Sequence, residues 1–163
     1  MEKLILDVEP HWENIERARN ETAQFLLSHK ISDDIANAII MVCSELIENA
    51  VKYGYFKEKE ATISVNIELF KKYILVEVRN SIKDAKNQHF KKLDKTIQWI
   101  RGYQNPLEAY TMKIKEVAKK DLFDEESGLG LIRVAYEGES ILDFYLENIN
   151  IVAVSAIRHF NIN

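Results

Sequence analysis

The stretch Glu45-Leu46-Ile47-Glu48-Asn49-Ala50-Val51-Lys52-Tyr53-Gly54 carries two patterns at once. Its apolar residues continue the series Ile39, Val42, Cys43, Leu46, Ile47 and Ala50, which follows the i, i+3, i+4, i+7, i+8, i+11 spacing of one buried helical face. The pattern predicts a helix that starts at an N-cap on Ser32 or Asp33 and stops near Gly54. Glu45, Asn49 and Lys52 fall at i, i+4 and i+7, so they form a polar stripe that faces away from Cys43, Leu46 and Ala50. Taken alone, a stripe of this kind is more often a solvated helix surface. Its chemistry also suits a metal-bound phosphate. Asn places a carbonyl oxygen on Mg²⁺, Lys neutralises phosphate, and Glu orients or deprotonates a nucleophile.

Working outward, residues 3–8 alternate apolar and polar side chains as a short strand does. Pro10 then opens a helical pattern through Trp12, Ile15, Phe25 and Leu26 to about His29. Beyond Gly54, residues 62–70 and 73–79 are β-rich runs separated by Lys71-Lys72, an antiparallel hairpin. From residue 81 to about 127 the regular layout gives way to an insert with helical patterns at about 89–101 and 106–120. Gly102 ends the first, and the second starts with Asn105 as N-cap, Pro106 at the first position and Glu108 at the third. A helix to about Gly138 follows, and then strands at 140–147 and 149–157 around a turn at Asn148. This order predicts one α+β domain over residues 1–163. It is a two-layer α/β sandwich whose mixed, largely antiparallel sheet is covered on one face by helices.

With 163 residues, 47% hydrophobic and 29% charged, the chain has the balance of a globular domain, which excludes disorder and collagen-like repeats. The net charge of -4 conceals an asymmetry: residues 83–120 hold ten basic against four acidic side chains, so this segment is +6 and the remainder -10. Such a segment suits phosphates, nucleic acid or an acidic protein surface as well as plain solvation. It is not interleaved with an aromatic stacking platform, so nucleic-acid binding is the weakest of these readings. Cys43 is the only cysteine, no signal peptide is visible, and the longest apolar stretch, residues 36–43, is too short to cross a bilayer. A soluble cytoplasmic protein with no membrane partner is expected.

A second cluster, Ser127-Gly128-Leu129-Gly130-Leu131-Ile132, precedes an apolar helical run and holds two of the five glycines in the chain. Glycines there let backbone approach a ligand, and free N–H groups at a helix start favour anionic oxygens. A lone G-x-G is also compatible with a simple turn. The four histidines have no metal-ligand spacing, Trp12 and Trp99 read as packing anchors, and no hydrolase triad is recognisable around Ser44 or Ser127.

In this order, and separated by a hairpin and an insert, the two clusters resemble the GHKL (Bergerat-fold) ATPase domain shared by histidine kinases, anti-sigma factor serine kinases and gyrase-type enzymes. Residues 45–54 look like its N box and residues 128–131 like the G-x-G-L box that ends the ATP lid. The long helical lid and the Ser-Gly-Leu-Gly-Leu-Ile-x-x-Ala run are similar to stand-alone bacterial regulators of the SiaB type. The resemblance implies ATP and Mg²⁺ as cofactors, Glu45 as general base, Asn49 as Mg²⁺ ligand, Lys52 as phosphate contact and Tyr53 in the adenine pocket. It implies backbone contacts to the phosphates from Gly128, Leu129 and Gly130. Where the family usually carries Asp-x-Gly-x-Gly after a strand, this chain has Asn80, and no glycine occurs between Gly54 and Gly102. Asn80 can still accept a hydrogen bond from an adenine amino group through its amide oxygen, without charge assistance.

The resemblance therefore implies a serine/threonine kinase of a partner-switching system, acting on an anti-anti-sigma (STAS-like) or SiaC-like protein. The alternative is a catalytically inactive module that keeps the fold for protein–protein interaction. A homodimer is compatible with either.

Overall fold

The computed structural model describes residues 2–57, 61–83, 88–119 and 128–160. Lys120, the expected end of the second insert helix, and Ser127, ahead of the glycine pair, lie outside the described residues. The elements are β1 (Glu2–Val8), α1 (Glu13–Ser28), α2 (Asp33–Tyr53), β2 (Ile63–Leu69), β3 (Tyr73–Ser81), α3 (Gln88–Arg101), α4 (Pro106–Val117), α5 (Leu129–Tyr136), β4 (Ser140–Leu146) and β5 (Ile151–His159).

The strands form one sheet in the order β1-β2-β3-β5-β4, and every neighbouring pair is antiparallel. The expected mixed, largely antiparallel sheet is thus antiparallel throughout. Between β1 and β2 two helices intervene, and an odd number of reversals over the three connections brings the chain back antiparallel to its neighbour. Register aligns the apolar residues in rows, with Val65 opposite Val78, Val78 opposite Val154, Ile67 opposite Val76 and Val76 opposite Ala156. Because side chains alternate along a strand, these all point to one face, where they are buried under the helices. The helix α2 contributes Ile39, Val42, Leu46 and Ile47 to that core. Burying each side chain of this size stabilises the fold by roughly 1.5–3 kcal/mol before entropy is counted. The opposite face carries Ser64, Asn66, Glu68, Glu77 and Arg79, as expected of an antiparallel sheet with one solvated side.

The insert helices anchor through few residues. Ile97 and Ile100 of α3 and Ala109 of α4 are buried, with α3 against α5 and β4 and α4 against α5. Asn105 caps α4 as the sequence predicts, its side-chain oxygen accepting from the Leu107 N–H at 3.0 Å. Asn105→Ala should therefore cost about 1 kcal/mol of stability, read as a lower denaturation midpoint; an unchanged midpoint would show that the cap is idle. Two expectations are corrected. The first helix begins at Glu13 rather than Pro10, because turn hydrogen bonds from His11 N–H to Glu9 O (2.7 Å) and from Asn14 N–H to His11 O (3.0 Å) take up residues 9–14. Trp12 is not a packing anchor, being 58% exposed. Among the described residues no helix is long and apolar enough to cross a membrane.

Candidate functional site

Helix α2 turns its apolar face to the sheet, which leaves its polar stripe facing the start of α5 and the helix α3. A cleft of about 260 Å³ lies there, lined by Glu45, Glu48, Asn49, Lys52 and Tyr53 from α2 and by Gly128 and Gly130 across from them. The two clusters, far apart in sequence, therefore form opposite walls of one cleft. Leu129 is the first residue of α5, between the two glycines. Asn80 lies in an adjoining recess of about 20 Å³ that it shares with Asn49, Tyr53, Ile82 and residues of α3.

Each glycine of the pair has its own reason. Gly128 has φ +64° at the N-cap of α5, the left-handed region that glycine adopts at little cost, while a β-carbon there would meet Lys113 Cε only at an ordinary contact distance of 3.4 Å. At Gly130 the reason is space: a β-carbon there would lie 2.5 Å from Glu45 Oε2. The carboxylate thus sits directly on the first turn of α5, where N–H groups lack helical partners and favour negative charge. Gly130→Ala should displace Glu45 rather than the backbone, since the clashing atom is the end of a side chain. We expect near-normal stability with impaired function, and a melting point several degrees lower would mean that the helix moved instead.

Glu45 is 14% exposed and pairs with Arg133 of α5. Burial raises its pKa above the ordinary glutamate range; Arg133 opposes that shift, while Glu48 and Glu137 add to it. A carboxylate with a raised pKa, in a cleft and beside a helix start, is suited to take a proton. Lys52 lies with its Nζ 5.4 Å from the Tyr53 ring centre, and the other face of the site brings the His89 ring within 5.2 Å of Tyr53. The Asn80 amide donates to Ser81 O at 3.0 Å, so its Oδ1 is the atom able to accept from a ligand amine. Cys43 is buried, its pKa pushed up to about 11 by burial, and it is an inert core thiol.

Sequence reasoning missed Trp12, His89, Lys92, Leu93 and Thr96, which line the cleft from the start of α1 and from α3. The excess of lysines in residues 83–120 was the one signal available, and Lys92 is the part of it that reaches the cleft. The residues fit a metal-bound triphosphate by their donor set. Among the described residues no group of three or more His, Cys, Asp or Glu side chains could hold a metal. Mg²⁺ is commonly held by one or two protein oxygens with phosphates and water completing its shell, and the amide oxygen of Asn49 in the cleft lining is of that kind. The recess at Asn80, where the resemblance implies an adenine, fits less well, being lined by His89, Phe90 and Leu93 of α3 and only about 20 Å³ in volume.

No family model matches the sequence, and no curated protein matches it. Solved structures do match. A chain in the crystal structure of the SiaB-SiaC complex from Pseudomonas aeruginosa superposes with a TM-score of 0.74 at 18% identity, over 95% of this chain and 89% of that one. This is the same fold. The likeness spans the helical insert as well as the sheet, since so little of either chain is left out. At this identity it concerns architecture alone, and the site rests on its own geometry.

Proposed function

We propose that the chain is an ATP- and Mg²⁺-dependent serine/threonine protein kinase of a bacterial partner-switching system, with a SiaC-like or anti-anti-sigma-like protein as substrate. The observation that carries this reading is the placement of Glu45 and Asn49 on one wall of a cleft whose other wall is the glycine-opened start of α5. Asn49 would hold Mg²⁺ through its amide oxygen, and Lys52, with the backbone of Gly128, Leu129 and Gly130, would hold phosphate oxygens. Bound Mg²⁺ supplies positive charge against the phosphates. Glu45 would accept the proton of the partner's hydroxyl as that oxygen bonds to the γ-phosphorus and ADP departs. The resemblance of the sequence to GHKL regulators and the shared fold with a chain of the SiaB-SiaC complex both support a signalling role.

The small recess at Asn80, about 20 Å³, favours a second reading, in which the same fold serves only as an interaction module. Calorimetric titration with ATP, with and without Mg²⁺, separates the two. The kinase reading expects Mg²⁺-dependent binding that weakens at least about tenfold in Asn49→Ala, the loss of a ligand bond to a charged group. Absence of binding at millimolar ATP would overturn it and leave the interaction module.

A further inference from the structure

Arg133 pairs with Glu45 without lining the cleft itself, although 88 positions separate the two in sequence. Its Nη1 donates to Glu45 Oε1, while its Nη2 and Nε donate to the Glu137 carboxylate at 3.2 and 3.3 Å. The other Glu137 oxygen accepts from the Tyr110 hydroxyl of α4 at 3.1 Å. The Tyr110 ring also lies 4.8 Å from that of Tyr136, which keeps it on α5. With Oε1 taken, the remaining Glu45 oxygen is Oε2, the atom lying against Gly130 at the cleft wall.

We propose that Arg133 is a positioning residue for Glu45, and that the chain Arg133, Glu137, Tyr110 ties this carboxylate to the insert helix α4. What Glu45 does once positioned rests on the kinase reading above; the tie itself does not. The guanidinium is suited to the task because its planar fork bonds two carboxylates at once, which a lysine ammonium at the same place does not reproduce. The two ends of the fork differ in weight. The Glu137 end is an i, i+4 pair on an exposed surface and contributes little to stability. The Glu45 end reaches a mostly buried carboxylate, so its loss leaves a charge without compensation. A displacement of α4 is passed through Tyr110 and Glu137 to the guanidinium, and from there to the oxygen facing the cleft.

The test uses the full chain with ¹³C-labelled glutamate carboxyls, the Glu45 resonance being assigned as the one lost in Glu45→Gln. Arg133→Lys keeps the charge and removes the fork, while Tyr110→Phe removes one hydroxyl; far-ultraviolet circular dichroism checks that both fold. The expected result is a displaced Glu45 resonance in both variants, larger in Arg133→Lys, with amide exchange in α4 about three- to tenfold faster. With Mg²⁺-ATP and a partner, both should lower kcat, Arg133→Lys about tenfold, at unchanged KM for ATP. An unmoved Glu45 resonance in Arg133→Lys overturns the positioning role. A resonance that moves in Arg133→Lys and not in Tyr110→Phe overturns the tie to α4. If resonance and exchange respond as expected while the wild-type protein binds no nucleotide, the kinase reading fails and the positioning role stands.

Discussion

On the proposed kinase reading, Glu45→Gln should abolish most phosphotransfer, by about 10²- to 10⁴-fold for the loss of a general base, while leaving Mg²⁺-ATP binding in place and the fold at least as stable at neutral pH. The substitution preserves shape and removes the acceptor charge. Stability follows from the sign of the pKa shift. The folded-state pKa lies above the unfolded value of about 4.3, mainly because burial disfavours the charged form. The folded state therefore binds the proton more tightly, and this contribution is fully present below the unfolded pKa and lost as pH rises through the folded pKa. Burial thus disfavours the ionised carboxylate in this site. The amide carries no such cost, and Arg133 keeps its second partner, Glu137. Denaturation curves at several pH values should show Glu45→Gln gaining on the wild type between mildly acidic and neutral pH. A variant that loses ground to the wild type over that interval would mean that the Arg133 pair outweighs burial.

Gly138→Ala should destabilise the fold by roughly 1–3 kcal/mol, or lower the melting point by about 2–12 °C for a chain of this length. A β-carbon there would meet Val134 O at 2.4 Å and Val42 Cγ2 at 2.5 Å. Neither neighbour yields cheaply: one is a helix carbonyl and the other a core side chain of α2. Gly138 is also held in place, since its N–H donates to Arg133 O at 3.0 Å and its carbonyl accepts from Ser140 Oγ at 2.9 Å and Arg158 Nη1 at 3.2 Å. Relief of the Val42 clash needs the end of α5 to move away from α2, and relief of the Val134 clash needs the backbone at the end of α5 itself to change. Those two helices form walls of the cleft, so on the proposed reading nucleotide binding should weaken together with stability. A Gly138→Ala protein that melts with the wild type would show that the α2–α5 contact is softer than its packing implies. Gly130→Ala makes the contrasting case, because there the close atom is a mobile carboxylate.

The helix α2 was legible because both of its faces repeat at helical spacing, so core and polar stripe could be separated without knowing what either touches. The same holds for the two hairpins, with alternation on either side of Lys71-Lys72 and of Asn148, the latter at φ +88°. Trp12 misled because an aromatic residue at the start of an apolar series resembles a core residue. The turn of residues 9–14 decides instead that it faces the cleft mouth. Histidines without ligand spacing carried no signal, yet α3 places His89 beside Tyr53.

Local periodicity and turn chemistry thus determined the order of the elements, the buried face of α2, and the presence of Glu45, Asn49 and Lys52 on one stripe. They could do so because those patterns involve residues within three or four positions of each other. Tertiary structure alone decided that the stripe faces Gly128 and Gly130, that α3 narrows the recess at Asn80, and that Arg133 holds Glu45. Each of these depends on how α2, α3 and α5 pack over the sheet. Packing between elements tens of residues apart follows from the summed burial of the core and leaves no periodic mark at the positions it brings together.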